Sequence, residues 1–304
     1  MPYHYTTGVS VPPGVTFEFL RFRFRFRALD ALFFPPGKST NVLRGAFGTL
    51  LGAAATPAEY FRLFRPSAAL GHSPSGLADW PRPFVFRASH LDGLRVPPGG
   101  GFFVDVHAFD LRSPTLPHFR AAFAQLAVLG MGPGRGRAEL VGVDRLDLED
   151  RATPAGDGLG SPIVISLDPQ PDPLERVRIR FVTPTELKTA GRLAEQPEFP
   201  VLFGRLRDRI STLRSLYGAG PLEIDFHGMA ARAAQVRMAS CRIAWVHLER
   251  RSGRTGEVHP LGGFTGEAEY QGELAEFLPF LHAARWVGVG RQTVWGKGDL
   301  RVLP

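Results

Sequence analysis

The sequence predicts an α+β protein built from tandem ferredoxin-like (RRM-like) domains, with antiparallel sheets that carry their helices on one face. Two observations predict this fold. A unit of amphipathic helix, Gly-x-Gly loop with arginine, and strand occurs once at residues 119–141 and again from residue 274 onward. Each half also opens with a strand in which arginine alternates with apolar residues, at 17–27 and at 176–182. A pattern that occurs twice indicates two similar halves.

The length and composition suit two cores. The chain has 304 residues, 44% of them hydrophobic, including 24 phenylalanines. We expect an N-terminal ferredoxin-like domain over residues 1–151 and a C-terminal one over 174–304 that carries the Gly-rich loop. Residues 152–173 are rich in Pro, Gly and Asp around one short strand, and they are predicted to form a linker region.

The first strand has one apolar and one cationic face. Phe22, Phe24 and Phe26 alternate with four arginines, which is the period of a β-strand. Two interpretations stay open. Either the arginines form an RNA-facing row, or carboxylates on the neighbouring strands compensate their charge.

The remaining elements of the first half follow in order. Ser39 or Thr40 is expected to cap a helix over 41–51, in which Gly45 and Gly48 let the helix pack closely on the sheet. Strands at 81–87 and 101–109 precede the first helix and Gly-x-Gly unit.

In the second half, a strand at 176–182 is followed by a helix over 199–217 and by strands between 235 and 250. The order strand, helix, strands, helix, strand is that of a ferredoxin-like unit.

The charge of the chain indicates a polyanionic partner. Its net charge is +7, and every cationic residue except Lys38, Lys188 and Lys297 is arginine. The planar guanidinium binds phosphate and stacks on bases, which suits RNA. A GC-rich genome would produce the same arginine bias, so the bias is supporting evidence only.

Several classes of protein are excluded or disfavoured. No apolar run is long enough for a membrane span and the first residues lack the pattern of a signal peptide, so a cytoplasmic location is expected. The single Cys241 excludes an internal disulfide and a cysteine-based zinc site, and we interpret it as a packing residue. We expect no metal and no cofactor.

The C-terminal segment 288–298 holds two Gly-x-Gly pairs around Arg291, Gln292 and Lys297. Glycine exposes its amide and lets a phosphate approach the main chain, although a plain Gly-rich hairpin is the alternative. The predicted RNA-binding residues are Arg44, Arg135, Arg137, Arg250, Arg251, Arg254, Gly288, Gly290, Arg291, Gln292, Gly296, Lys297 and Gly298.

The residues also match a known family over essentially the full length. The matching segments are 43–48 (LRGAFG), 82–85 (RPFV), 130–132 (GMG), 182–184 (VTP), 250–254 (RRSGR), 261–266 (LGGFTG), Tyr270 and the loop 288–298. With these features the chain resembles the CRISPR-associated pre-crRNA-processing endoribonucleases of the RAMP superfamily. The loop fits the superfamily pattern of two Gly-hydrophobic-Gly groups, except that Lys297 replaces the second hydrophobic residue.

The resemblance implies a metal-independent cut within the repeat of a CRISPR precursor RNA. The 2'-hydroxyl of the RNA would be the nucleophile, and the products would be a 5'-hydroxyl and a 2',3'-cyclic phosphate. Such a reaction needs a base, an acid and a cation rather than a protein nucleophile. Many relatives carry a histidine on or near the first helix, and residues 41–51 contain none. Some relatives carry a cysteine cluster in the first half, which is also absent here.

Histidines are therefore ranked as catalytic candidates by their neighbours. His259 comes first because it follows the arginine cluster 250–254, and His227, at a turn, comes second. His72, His4 with Tyr5, and His282 follow, whereas His107 and His247 lie within strand patterns and are interpreted as structural.

The alternative function is a non-catalytic, repeat-RNA-binding subunit of a CRISPR effector complex with other CRISPR proteins as partners. The missing helix histidine favours this alternative, and the full-length resemblance favours the enzyme. A general RNA chaperone is a third hypothesis, but the aromatic consensus of RNA-recognition motifs is absent.

Overall fold

The computed structural model describes residues 14–66, 80–189, 191–247, 249–251, 258–260 and 262–304, and only the backbone at 44–46, 249–251 and 258–260. The described residues form two compact units. The N-terminal unit comprises Glu18–Val164 together with Thr212–Gly220. The C-terminal unit comprises the described residues up to Phe17, then Ile165–Ser211 and Pro221–Pro304.

The helices are as follows: α1 Ser39–Ala54, α2 Pro57–Phe64, α3 Leu116–Leu129, α4 Phe199–Tyr217, α5 Phe226–Ala233 and α6 Leu278–Val287. The strands of the first half are β1 Thr16–Ala28, β2 Leu32–Phe33, β3 Phe84–Arg87, β4 Arg95–Val96, β5 Gly101–Ala108, β6 Ala138–Leu146, β7 Ala152–Pro154 and β8 Ile163–Ser166. Those of the second half are β9 Arg176–Thr185, β10 Lys188–Thr189, β11 Arg192–Leu193, β12 Arg237–Val246, β13 Glu249–Arg251, β14 Val258–Pro260, β15 Gly263–Gln271 and β16 Leu300–Leu303.

Two antiparallel sheets repeat one topology. In the first, the strand order is β3-β5-β1-β6-β7, with β8 also paired to β1. In the second, the order is β12-β15-β9-β16. In both, the opening strand lies between the strand before the last helix and the strand after it, as in a ferredoxin-like unit. The predicted fold class is therefore confirmed.

Phenylalanines build the core of the N-terminal unit. The apolar face of β1 packs on α1 and α3: Phe24 contacts Phe123, with ring centroids 4.5 Å apart, and Phe47 contacts Phe86, Phe119 and Phe123. Edge-to-face and offset pairs of this kind add to the free energy gained from burial. In the C-terminal unit Phe199 and Phe203 of α4 pack in the same way on Phe277.

Carboxylates of neighbouring strands compensate the arginines of β1. Arg23 donates two hydrogen bonds of 2.8 Å to Asp105 of β5, and Arg25 is paired with Asp144 of β6. Arg21 is buried and ion-paired with Asp150. Of the two interpretations left open by the sequence, compensation by carboxylates is therefore the one that the structure supports for these three arginines.

The second half repeats this arrangement. On β9, Arg176 pairs with Glu269 and Arg180 with Glu267, both on β15. Arginine–carboxylate pairs between adjacent strands stabilise the register of a sheet.

Three sequence-based expectations need correction. Neither Ser39 nor Thr40 caps α1, because the helix begins at Ser39, and Lys38 at the N-cap forms no side-chain capping hydrogen bond. Gly48 does not serve packing on the sheet, because a Cβ there would lie 2.7 Å from the ring of Phe64 on α2. The segment 152–173 holds two strands rather than one, since β7 pairs with β6 and β8 pairs with β1. The predicted domain boundaries themselves stay a prediction.

The carboxylate of Asp110 is a buried anchor of the N-terminal unit. It accepts hydrogen bonds from the amides of Arg112 (3.0 Å) and Ser113 (3.3 Å), and it is ion-paired with Arg62. We expect Asp110→Asn to lower the free energy of unfolding by about 3 kcal/mol, because Arg62 would keep a half-buried charge without its partner. Urea unfolding measures this. Asp157→Asn is the control, since Asp157 pairs with Arg120 at the surface, and its effect should stay below about 1 kcal/mol.

No helix among the described residues is long and apolar enough to cross a membrane.

Candidate nucleic-acid interface

The C-terminal glycine loop, residues 288–298, follows α6 and leads into β16. Gly288, Gly290, Gln292, Gly296 and Gly298 have φ angles of 70°, 82°, 60°, 74° and 68°. These values lie in the left-handed region, which glycine enters without steric cost. A residue with a side chain would therefore be strained at the four glycine positions of this loop.

The glycines of this loop pack against the chain's own backbone. A Cβ at Gly290 would overlap the carbonyl oxygen of Glu186, and a Cβ at Gly298 would overlap that of Val289. The amide of Val289 donates to Gly298 O at 2.9 Å and that of Gly298 to Pro184 O at 3.1 Å. Close packing is thus sufficient to explain these glycines.

Burial divides the predicted RNA-binding residues of the C-terminal loop. Gly288, Gly296, Lys297 and Gly298 are buried. Arg291 is exposed and ion-paired with Glu186, and Gly290 and Gln292 are half-buried. RNA contact by this loop stays a prediction, and 290–292 is the stretch that an RNA phosphate can reach most directly.

The first glycine loop, residues 130–136, has equivalent geometry. Gly130, Gly132 and Arg135 have positive φ angles of 93°, 76° and 47°. A Cβ at Gly132 would lie 2.6 Å from the carbonyl oxygen of Phe33, just as Gly290 lies against Glu186. The amide of Met131 donates to Gly136 O at 2.8 Å, as that of Val289 does to Gly298 O. The two halves therefore share a glycine loop packed on backbone carbonyls as well as the sheet topology.

The two loops differ in exposure. Pro133, Gly134 and Arg135 are all exposed. Arg137 donates to Asp30 from its amide and its guanidinium, at 3.0 and 2.8 Å, which lowers the pKa of Asp30 to about 2. Arg135 is thus accessible, whereas the charge of Arg137 is compensated.

The other predicted RNA-binding arginines lie on α1 and on a hairpin. Arg44 is on α1. Strands β13 and β14 pair so that Arg250 and His259 are register partners, as are Arg251 and Val258. Arg254 lies outside the described residues. The backbone thus places His259, the first-ranked histidine, opposite Arg250 of the arginine cluster 250–254.

His227 is exposed in the first turn of α5. Asp225 caps this helix by accepting from the amide of Gly228 at 2.8 Å. The preceding carbonyl, that of Phe226, accepts from Arg207 at 2.7 Å. An exposed imidazole is compatible with proton transfer to or from a phosphate ester.

Two of the remaining histidines, His107 and His282, are less suited to catalysis. His107 is buried in β5, and burial lowers the pKa of His282 on α6. His247 lies next to Trp245, with ring centroids 6.5 Å apart. His4 and His72 lie outside the described residues.

His90 is a surface feature that the sequence did not reveal. Its ring stacks on Phe103 at 4.2 Å between centroids, and its Nε2 lies 3.0 Å from Phe103 O. Burial lowers the pKa of His90, and this effect exceeds the opposite one of the hydrogen bond with Phe103 O. Residues 89–91 form one 3-10 turn without a periodic pattern, so no sequence signal was available.

No cluster of three or more metal-ligating side chains occurs in the part of the chain that the structure describes.

Two parts of the chain are similar to known protein families. Residues 179–300 match the profile of the CRISPR-associated endoribonuclease Cas6, and residues 17–157 match a profile described as an N-terminal domain. No curated protein sequence matches significantly.

Solved structures of the same fold include a Cas6 product complex with 20% identity and a TM-score of 0.55, covering 94% of this chain and 99% of that chain. Cas6 of Thermus thermophilus shows 18% identity and a TM-score of 0.53, with 95% and 99% of the two chains covered. A partial Cas6-RT-Cas1–Cas2 complex shows 12% identity and a TM-score of 0.57, with 96% of this chain and 46% of that chain covered.

The fold and the two glycine loops define a tandem ferredoxin-like protein. Together with the profile match over residues 179–300, they support a CRISPR-associated protein of the Cas6 type.

Proposed function

We propose that this protein is a metal-independent endoribonuclease that cleaves CRISPR precursor RNA within its repeats to give guide RNAs. The match of residues 179–300 to the Cas6 endoribonuclease profile is the observation that carries the proposal. A solved Cas6 structure in complex with its product has the same fold as this chain, which also supports the proposal.

The chemistry assigned to the site is attack of the 2'-hydroxyl on the adjacent phosphorus. The 2' O–P bond forms, the P–O5' bond breaks, and the products are a 2',3'-cyclic phosphate and a 5'-hydroxyl. A base takes the 2' proton, an acid gives a proton to the 5' oxygen, and a cation stabilises the phosphorane. We assign proton transfer to His259 first and His227 second, with Arg250 as the cation opposite His259 in register.

A cleavage assay tests the proposal. Purified protein in EDTA is incubated with RNA of the host's own CRISPR repeat and with variants that carry one 2'-deoxy nucleotide at each position in turn. We expect one discrete cut that a single 2'-deoxy substitution abolishes, with at least about a 10³-fold lower rate, since the nucleophile itself is removed.

The products provide the control. Acid treatment should convert the cyclic phosphate to a 2'- or 3'-monophosphate and so change its gel mobility. A cut that requires added Mg²⁺, or one that every 2'-deoxy substrate still allows, would contradict the mechanism.

A second function has specific support. Helix α1 carries no histidine, and one structural neighbour is a partial Cas6-RT-Cas1–Cas2 complex. The alternative is therefore a repeat-RNA-binding subunit that acts with other CRISPR proteins without cutting. Tight binding of repeat RNA with no product over hours would favour it.

A further inference from the structure

The cations of the N-terminal unit divide into two groups. Most arginines are engaged with carboxylates or backbone carbonyls, for example Arg23 with Asp105 and Arg145 with Leu159 O. Among the described side chains of this unit, those of Arg27, Lys38, Arg65, Arg95 and Arg135 are exposed and make no hydrogen bond or ion pair. The second group supplies the uncompensated charge.

Three of these cations lie at one end of the sheet. Arg27 is near the end of β1, where β5 and β6 begin, and its register partners are Gly101 and Glu139. The first glycine loop, which carries Arg135, packs on the segment that follows β1, with Gly136 close to Ala31 O. Strand β4, which carries Arg95, pairs with β2 of that segment. We call Arg27, Arg95 and Arg135 the arginine rim.

Aromatic and apolar surface accompanies the rim. The guanidinium carbon of Arg95 lies 4.4 Å from the ring centroid of Phe33. Leu29 and Leu94 nearby are 51% and 38% exposed. A guanidinium that is stacked on a ring presents its second face to solvent, where it can stack on a base.

Carboxylates do not cancel this charge. Asp30 is bound to Arg137, which balances it. Glu139 is exposed opposite Arg27 in register, and it forms no ion pair among the described residues. Glu139 alone cannot neutralise three guanidinium groups, so the rim stays cationic.

We propose that the arginine rim is a second binding surface for a single-stranded segment of the substrate RNA, separate from the C-terminal glycine loop. Arg27 and Arg135 bind phosphates, and Arg95 on Phe33 stacks with a base. This proposal rests on the proposed function, because it assumes that RNA is the substrate. The exposed backbone at Gly134 leaves room for a phosphate beside Arg135, since nothing lies within 4 Å of a Cβ there.

Binding of labelled repeat RNA as a function of salt tests the proposal. Each cation that contacts a phosphate contributes about 0.7 to the slope of log K against log salt for single strands. The double variant Arg27→Gln/Arg135→Gln, which removes both phosphate contacts, should therefore lower the magnitude of the slope by about 1.4 and weaken binding at least about 10-fold at moderate salt. Arg95→Lys keeps the charge but not the stacking plane, and should weaken binding about 5-fold with the slope retained.

The matched control is Arg120→Gln/Arg151→Gln. It removes the same charge from two arginines of the same unit, Arg120 and Arg151, which are paired with Asp157 and Asp147. Circular dichroism melting checks that all variants fold. If the rim variants show the same salt slope and the same RNA affinity as the control variant, the proposal that the rim binds RNA is overturned. A wild-type protein that binds no repeat RNA would overturn the proposed function and the rim with it, whereas wild-type binding with unaffected rim variants rejects the rim alone.

Discussion

Replacing His259 by alanine is expected to slow cleavage of repeat RNA by about 10²- to 10⁴-fold, with the affinity for RNA retained within about 3-fold. The range is that of a general acid or base removed from a phosphoryl-transfer step. His259 is the candidate because β14 places it opposite Arg250 of β13. Single-turnover rates measured with saturating protein isolate the chemical step from binding.

The pH profile distinguishes catalysis from structure. A histidine that transfers a proton makes the wild-type rate depend on pH, and His259→Ala should remove that dependence. His227→Ala is the parallel variant, and its side chain is exposed in the first turn of α5. If His259→Ala cleaves at the wild-type rate and His227→Ala does not, the ranking of the two residues is reversed. If both variants cleave normally, neither histidine is catalytic.

Gly298→Ala is expected to lower the free energy of unfolding of the C-terminal unit by about 3 kcal/mol. Gly298 has a φ of 68°, and its Cβ would overlap the carbonyl oxygen of Val289. Left-handed backbone at a non-glycine residue costs on the order of 1–3 kcal/mol, and the overlap adds to this cost. Urea unfolding followed by tryptophan fluorescence measures the change.

Gly204→Ala is the matched control for this prediction. Gly204 lies inside α4, and nothing lies within 4 Å of a Cβ at this position. Alanine has a higher helix propensity, so this variant should be more stable by roughly 0.5–1 kcal/mol. Equal stability of Gly298→Ala and the wild type would mean that the loop does not have the backbone path described.

The packing of the loop also limits what a bulky substitution can test. Gly290→Trp would collide with Glu186 O, so loss of RNA binding in that variant would not separate a phosphate contact from local unfolding. Gln292→Ala is more informative, because this residue is only half-buried.

Periodic patterns were sufficient to predict most of the fold. The alternation of Phe22, Phe24 and Phe26 predicted β1, and helix α4 has the predicted bounds, 199–217. The repeated helix and glycine-loop unit predicted two similar halves, and both loops share the positive φ angles described above. Local periodicity reports which face of an element is buried, which is why these predictions succeeded.

The partners of polar side chains could not be predicted in this way. The pairing of Arg23 with Asp105 joins residues 82 positions apart, so it depends on strand register rather than on local pattern. The same holds for the glycines at 290 and 298, where the sequence could not distinguish packing on backbone from an approach to phosphate. The stack of His90 on Phe103 likewise exists only once β5 is placed beside the 3-10 turn.

The N-terminal unit takes part of its structure from late in the chain, and this bears on synthesis. Tyr217 donates its hydroxyl to Pro81 O at 2.8 Å, its carbonyl accepts from the amide of Leu111, and Arg214 pairs with Glu18. All of these contacts lie within one unit, although its continuous segment ends at Val164. A nascent chain that has left the ribosome only to Val164 still lacks these partners for Glu18, Pro81 and Leu111. Completion of the first unit during translation therefore waits until residues 212–220 have left the ribosome.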